Sequence, residues 1–287
     1  MQVNIQQEKV KGGVRSRRAV SYIVLGIFSV LCLIWFYILL INATRSHVEL
    51  GRGFTPIPSS HLFENLINVF HDATTPVLQG MAHSLLVSLL TAAVSVYFSA
   101  MTAYAIHAYE FKGKQFIFTM ILAIMMIPTQ VTVLGFLNLI DKLKLMNSFV
   151  PLIVPSIAAP IVFFYMKQYM ESALPMELLE AARIDGAGEI RIYNTIVLPL
   201  MVPAMAVQAI FSFVSSWNNY FVPQLILEKD KWTLPIMIAQ LRSADFLKFD
   251  MGKVYAMIGF SIFPVIVIYL ILSKYIVGGL AAGSVKG

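Results

Sequence analysis

The sequence predicts an all-α integral membrane protein with six transmembrane helices and both termini on the cytoplasmic side (N-in/C-in). Of its 287 residues, 58% are hydrophobic and only 13% are charged, and the mean hydropathy is +0.76. Soluble domains carry about 25% charged residues, because their surface must be wetted. The composition therefore excludes a soluble enzyme, a nucleic-acid-binding domain and a disordered chain.

Long intervals without a charged residue locate the six spans. One interval lies between Arg18 and Arg45, and another lies between Lys253 and Lys274. A bilayer core needs about 20 apolar residues per helix. The predicted transmembrane helices are residues 19–43, 82–108, 116–140, 149–168, 196–222 and 254–275.

The N-terminal tail, residues 1–18, sets the predicted orientation. The apolar run after it, 19–43, is too long for the 7–15-residue apolar region of a signal peptide, so we expect a retained helix. Basic residues favour the cytoplasmic side, and the first helix usually dominates the orientation. The tail carries five of them: Lys9, Lys11, Arg15, Arg17 and Arg18.

Three further segments complete the predicted organisation. Residues 44–81 form an extracytoplasmic segment, in which the apolar pattern Leu62, Leu66, Ile67 and Phe70 predicts a short interfacial helix with Ser60 as its cap. Residues 82–275 form the core, and residues 276–287 form a cytoplasmic tail. The glycines of this tail disfavour a stable helix.

The spans lack the groups that would make the chain an energy-converting protein by itself. Apart from Lys167 and Lys274 at the rims of the fourth and sixth spans, no Asp, Glu, Lys or Arg lies inside a predicted span, and proton-coupled carriers typically use such groups as relays. No phosphate-binding loop is present, because Gly113-Lys114 and Gly252-Lys253 lack the upstream glycine and the following hydroxyl residue. The histidines and Cys32 show no metal-ligand spacing. We therefore expect a translocation path driven by another protein.

A charged loop at 170–195, between the fourth and fifth spans, predicts a short helix. Pro175 is suited to open the helix, and Glu177 suits the positive end of its dipole. Gly186 after Asp185 is suited to end the helix in the left-handed conformation. Leu178, Leu179, Ala182 and Ile184 are expected to form an apolar side, and Glu177, Glu180 and Arg183 a charged side. A second helix is expected to start near Gly188.

This loop resembles the EAA signature of bacterial ABC-importer permeases. Glu180-Ala181-Ala182 is followed after three residues by Gly186, and after nine more by Ile196-Val197-Leu198-Pro199. The segments 104–114, 125–156, 216–227 and 274–287 are similar to those of the maltose-type, MalG-like sugar permeases. The resemblance covers residues 80–287 well. One departure is SWNNY at 216–220, where many relatives carry an acid.

The resemblance implies a permease subunit of the type I ABC importer fold in the bacterial cytoplasmic membrane. Its expected partners are a second, MalF-like permease, two copies of a cytoplasmic ATPase, and an extracytoplasmic sugar-binding protein that delivers a sugar or oligosaccharide. The chain itself is then no enzyme and binds no cofactor, since ATP and Mg belong to the ATPase. The loop is expected to be the coupling helix, with Glu180, Ala181, Ala182, Arg183, Asp185 and Gly186 as its coupling residues.

Polar residues of the spans are candidates for the substrate path, because sugars need hydrogen-bond partners and aromatic faces. Gln208, Ser212, Ser215 and Asn219 recur at helical spacing, so they are expected to share one face of the fifth span. Hydroxyl groups in membrane helices also bond their own backbone, which is the alternative for each serine. The candidates are Gln130, Gln208, Ser212, Ser215, Trp217, Asn218 and Asn219.

Three alternatives stay open at this stage. The same machine would serve another small polar solute, such as a polyamine or phosphate. A self-sufficient secondary carrier would work with an ion gradient and no ATPase. An interaction scaffold without a path would have an apolar centre, which the polar residues of the fifth span disfavour.

Overall fold

The computed structural model describes residues 2–72, 74–242 and 249–283, and the described chain is almost entirely helical. Fourteen α-helices are described within these ranges. They are α1 Gln2–Ala43, α2 His47–Gly51, α3 Leu62–Phe70, α4 Val77–Ala108, α5 Lys114–Met125, α6 Thr129–Lys142, α7 Val150–Ile153, α8 Pro160–Ala173, α9 Met176–Ile184, α10 Glu189–Ile192, α11 Leu198–Trp217, α12 Phe221–Ile226, α13 Leu234–Arg242 and α14 Met251–Gly283.

Five of the predicted spans correspond to helical segments long and apolar enough to cross a membrane. Their bounds are Arg18–Ala43, Val77–Ala108, Val150–Ala173, Glu189–Trp217 and Met251–Ile276. The fifth predicted span was placed too late, because the helical segment begins at Glu189 and Asn218 already lies beyond its end.

The third predicted span, 116–140, is divided into two helices. It consists of α5 and α6, which meet at 101°. Pro128 explains the break, because it disfavours the helical conformation of the residue before it and lacks a backbone N–H. Pro128 itself is extended, with φ −62° and ψ 128°.

The chain divides into two compact units, and the first contains the described parts of residues 1–71 and 244–260. A buried network orders it. The Asn65 amide donates to the carbonyls of Ala43 and Arg45, at 2.9 Å each, and the Arg45 guanidinium donates to the carbonyl of Gly53 at 2.9 Å. A side chain at Gly252 would meet the Arg45 carbonyl at 2.6 Å, so glycine is needed for this close approach.

Two short helices of this unit have different N-caps. The side chain of Ser46 caps α2 in a capping box with Glu49. The cap residue of α3 is His61 and makes no capping hydrogen bond through its side chain, so the prediction of Ser60 as the cap was wrong. The α3 helix begins one residue later than a Ser60 cap requires.

The second unit contains the described parts of residues 72–243 and 261–287, and α4 lies at its centre. This helix packs against α8 and α11. Small buried residues permit the close contact, including Ser88, Ala92, Ser95, Ser99 and Ala103. Small residues are typical of helix interfaces in membranes, where close approach supplies dispersion contacts and hydrogen bonds.

The helix α14 corrects the expectation for the C-terminal tail. It continues to Gly283, so the glycines at 278 and 279 do not end it. Extending a long helix by one residue carries no nucleation cost. The two glycines disfavour the helix by about 1 kcal/mol each, and the good helix formers that follow at 280–282 let it continue. Residues 284–287 of the predicted tail lie outside the described residues.

Candidate functional site

The predicted loop helix is present as α9, and its two ends have the chemistry expected of them. Pro175 is the N-cap residue, and Glu177 lies in the first turn. At the other end, Gly186 has φ 76° and donates its N–H to the carbonyl of Arg183 at 3.0 Å. The N–H of Ala187 donates to the carbonyl of Ala182 at 3.0 Å. This pair of bonds is a Schellman motif, which requires the left-handed residue that glycine supplies.

The two sides of α9 differ from the predicted ones. Leu179 and Ala182 are buried in the core of the second unit, as expected for an apolar side. Ile184 is 86% exposed and Leu178 is 40% exposed, however, so these two residues do not belong to that side. Glu180 and Ala181 are exposed as well. The exposed surface of α9 therefore combines a carboxylate, a small residue and a large apolar residue.

Arg183 has a partner inside the chain. Its Nε donates to Oε1 of Glu189 at 2.8 Å, and its guanidinium carbon lies 5.3 Å from the ring centre of Tyr109. The other oxygen of Glu189, Oε2, accepts a hydrogen bond from the Tyr104 hydroxyl at 2.6 Å. The hydrogen bond to Glu189 raises the pKa of Arg183, and burial raises the pKa of Tyr109. Charged Arg183 is thus firmly paired.

The Ile-x-Leu-Pro end of the EAA signature lies at an irregular turn. Residues Tyr193–Val197 form a π-helix between α10 and α11, in which the N–H of Leu198 donates to the carbonyl of Tyr193. A wider turn relieves the clash that the Pro199 ring would make with the carbonyl of Thr195 in a regular α-helix. Such turns are frequent at functional sites.

A cavity of about 710 Å³ lies among α4, α8 and α11 and the 3₁₀ turn Val154–Ile157. Ligand pockets typically have volumes of roughly 300–1,000 Å³. None of the described residues that line it is charged. Its polar lining residues are Thr91, Ser95, Ser156, Tyr165, Gln208, Ser212, Ser215, Ser216 and Asn219.

Several hydrogen-bonding groups in this cavity are already used. The Ser95 hydroxyl donates to Ser212 Oγ at 3.1 Å, and the Ser156 hydroxyl donates to the carbonyl of Ile153 at 2.6 Å. Gln208 is different, because it is only 5% exposed and its amide has no hydrogen bond to any described residue. Its side chain lines the cavity, where a ligand would meet it. Gln208 therefore carries unused donors and acceptors at the cavity wall.

The structure brings together four of the seven candidate path residues. Gln208, Ser212, Ser215 and Asn219 line the cavity. The other three do not line it. Trp217 is buried and its ring stacks on Phe213 at 5.7 Å, Asn218 is exposed beyond the end of α11, and Gln130 is exposed next to the break after α5.

The comparison with protein families identifies the chain. Residues 95–281 match the model of the inner membrane component of binding-protein-dependent transport systems. The chain belongs to this family. It is accordingly a multi-pass inner membrane protein and the permease component of an ABC importer. The matched region contains α9, the π-turn and most of the cavity lining.

Curated relatives support the same assignment over most of the chain. The chain is similar to two arabinooligosaccharide permeases named AraQ. The one from Halalkalibacterium halodurans is 37% identical, over 87% of this chain and 89% of the relative. The one from Bacillus subtilis is 35% identical, over 90% of this chain and 92% of the relative. The trehalose/maltose permease MalG of Thermococcus litoralis is 30% identical, covering 91% and 94%.

A solved structure supports the permease fold. The chain resembles, with a TM-score of 0.77 and 23% identity, a chain of a bacterial ABC transporter involved in the import of the acidic polysaccharide alginate. The match covers 91% of this chain and 96% of that chain. This permease thus has the type I importer fold that the sequence predicts.

The sequence analysis missed several residues of the cavity and of the contacts that hold α9. Tyr165 and Phe211, which give the cavity its aromatic surface, come from different helices, and no sequence spacing relates them. Glu189 and Tyr104 are 85 positions apart. The one available signal was Glu189 itself, an acid six residues after Arg183 in the sequence. A turn at Gly186 is needed to bring the two side chains together.

Proposed function

We propose that this permease imports a neutral sugar or oligosaccharide, with the cavity as part of its translocation path. The observation that carries the proposal is the amide of Gln208, which lines a cavity of uncharged described residues and makes no hydrogen bond to any of the described residues. A sugar hydroxyl satisfies both a donor and an acceptor of such an amide. The rings of Tyr165 and Phe211 offer the apolar faces that sugar rings need.

The names of the relatives support a saccharide cargo. They include permeases for arabinooligosaccharides, trehalose/maltose and diacetylchitobiose. A different cargo is represented by a permease for sn-glycerol-3-phosphate from Yersinia pestis, at 29% identity. A phosphate that leaves water for a binding site requires a cation or several donors to replace its hydration. The absence of a cation from the described lining favours the neutral cargo.

We further propose that α9 is the coupling helix. Its exposed Glu180, Ala181 and Ile184 form the surface that enters a groove on a cytoplasmic ATPase, with the charge fixing the register and the apolar residue filling the groove. Gly186 supports this role by ending the helix sharply. Arg183 and Asp185, also expected to couple, lie at the C-terminal end of the same helix.

The complete transporter in this proposal contains four kinds of subunit. A second, MalF-like permease supplies the other half of the path, two copies of the ATPase bind ATP and Mg and hydrolyse ATP, and an extracytoplasmic binding protein delivers the sugar. The present chain then has no catalytic residues. Rocking of the two permeases would expose the path to one side of the membrane at a time.

Competition during uptake tests the cargo. Cells that express the complete system would be given radiolabelled arabinotriose, with an excess of unlabelled maltotriose, glycerol-3-phosphate or spermidine. We expect the neutral sugars to compete and the charged solutes not to. If glycerol-3-phosphate or spermidine competed and the sugars did not, the neutral cargo would be rejected. Uptake into liposomes that contain no ATPase would favour a secondary carrier.

A further inference from the structure

We propose that Glu189 is a positioning residue that fastens the coupling helix α9 to the transmembrane helix α4, so that a displacement of α9 moves the cavity wall. This inference rests on the coupling role proposed above for α9. It adds a residue at a position that the EAA signature leaves undefined, and it identifies the contacts through which movement would pass.

Glu189 joins three parts of the chain through its two carboxylate oxygens. Oε1 accepts from Nε of Arg183, near the end of α9, and Oε2 accepts from the hydroxyl of Tyr104, near the end of α4. Glu189 itself is the first residue of α10, which leads into α11. The carboxylate therefore lies at a junction of α9, α4 and the segment that enters the membrane.

A second contact stops α10 from pivoting about this junction. Tyr193, four residues after Glu189, donates its hydroxyl to the carbonyl of Tyr97 on α4 at 2.7 Å. The rings of Tyr193 and Tyr104 lie 5.9 Å apart. Tyr97 and Tyr104 are seven residues apart and so lie on one face of α4. Two attachment points along one face fix both the position and the direction of the attached segment.

Two other ion pairs among the described residues cannot play this part. Lys114 pairs with Glu110, and Lys167 pairs with Glu171, in each case between residues four positions apart. Such pairs support one turn of the chain and join no separate helices. Arg183 and Glu189 are separated by the turn at Gly186 and belong to different helices.

The connection leads directly to the cavity. Ser95 of α4 lies two residues before Tyr97, lines the cavity and is hydrogen-bonded to Ser212 of α11. The π-turn Tyr193–Val197 lies between the junction and the part of α11 that carries Gln208. A movement of α9 that the carboxylate transmits to α4 therefore reaches both walls, and the irregular turn allows α11 to follow.

Cysteine accessibility in the native complex tests the inference without knowledge of the cargo. Ser215 of the cavity would be changed to cysteine in a Cys32→Ser background, and the tagged complex would be purified from native membranes. The measurement is the rate of maleimide labelling with and without ATP, together with the amount of ATPase retained. It would be repeated with Glu189→Gln and, as a matched control that breaks a local ion pair, Glu110→Gln.

We expect Glu189→Gln to keep the ATPase bound while the ratio of the labelling rates with and without ATP falls towards one. Tyr104→Phe, which keeps the ring and removes one donor, should weaken the ATP effect, and the exchange Arg183→Glu with Glu189→Arg should restore part of it. Glu110→Gln should leave the ratio unchanged.

Two results would overturn the inference alone: an ATP effect of undiminished size in Glu189→Gln, or loss of the ATPase from that variant in proportion to the loss of effect. A different result would overturn the proposed coupling role of α9 as well. In that case the protein with Glu189 and Arg183 intact would retain no ATPase, and ATP would not change its labelling rate.

Discussion

Ser95 of α4 donates a hydrogen bond to Ser212 of α11 across 3.1 Å, at the wall of the uncharged cavity. The bond uses the Ser95 donor and a lone pair of the Ser212 oxygen, and it joins the two helices at this level. Gln208, one turn earlier on α11, has no such partner among the described residues. The hydrogen bond between Ser95 and Ser212 is therefore a packing contact, whereas the amide of Gln208 is available to bind a ligand.

Replacing Gln208 with leucine should reduce sugar uptake without destabilising the protein. The change removes an amide that makes no hydrogen bond to a described residue, so we expect the thermal stability to change little. One lost hydrogen bond to the sugar, about 1 kcal/mol, should raise the sugar concentration for half-maximal uptake about fivefold. Gln115→Leu, at an exposed position outside the cavity, is the control. Unchanged uptake by Gln208→Leu would remove Gln208 from the path.

Replacing Gly186 with alanine should impair coupling. The residue has φ 76°, and a Cβ in the left-handed region costs about 1–2 kcal/mol, which weakens the end of α9. Gly188→Ala is a close control, because Gly188 has φ −70° and a Cβ there would have open space. Uptake in the two variants, at equal amounts of membrane protein, is the measurement. Equal uptake would show that the Schellman turn has no functional part.

A charge reversal at Glu180 should separate the permease from its ATPase. The side chain is exposed on α9, so Glu180→Lys should insert into the membrane normally and lose uptake. Glu177→Lys reverses an equally exposed charge one turn earlier and is expected to have the smaller effect. The amounts of ATPase recovered with each tagged variant are compared. Full recovery and full uptake with Glu180→Lys would speak against the coupling surface.

The His61 side chain in the first unit should remain protonated above its ordinary pKa of 6.5. Its hydrogen bond to Glu64, at 2.8 Å, raises the pKa, and Glu49 nearby acts in the same direction. A raised pKa means that the His61 pairs contribute fully below pH 6.5 and lose their contribution as the pH rises through the folded value.

Proton titration of the five histidines by NMR checks this pH dependence. His61→Gln assigns the signal, Glu64→Gln should lower its pKa, and Glu110→Gln should leave it unchanged. A His61 pKa at or below 6.5 would contradict the hydrogen bond.

The sequence contains enough information to predict those features that depend on neighbouring residues. Pro175 and Gly186 delimit α9 correctly, because a proline opens a helix and a glycine ends it by local conformational preference. The shared face of Gln208, Ser212 and Ser215 follows from the helical period, whereas Asn219 lies beyond the end of α11. Ile184 was assigned to the wrong side, because hydropathy alone does not distinguish a residue buried in its own chain from one exposed for a partner.

Features that depend on distant residues could not be derived. The contact of Glu189 with Tyr104 requires α4 and α10 to lie side by side, which only the packed core determines. The bend of 101° in the third predicted span has a local cause in Pro128, but a proline inside an apolar run is also compatible with a kinked continuous helix. Hydropathy therefore predicts the third span but not the break within it.

Purification of the tagged chain from native membranes tests the central claim most directly. Mass spectrometry of the material should find a second multi-span permease and an ATPase with a phosphate-binding loop, at about two ATPases for each pair of permeases. Recovery of the chain alone or as a homo-oligomer, with transport that needs no ATP, would contradict the account.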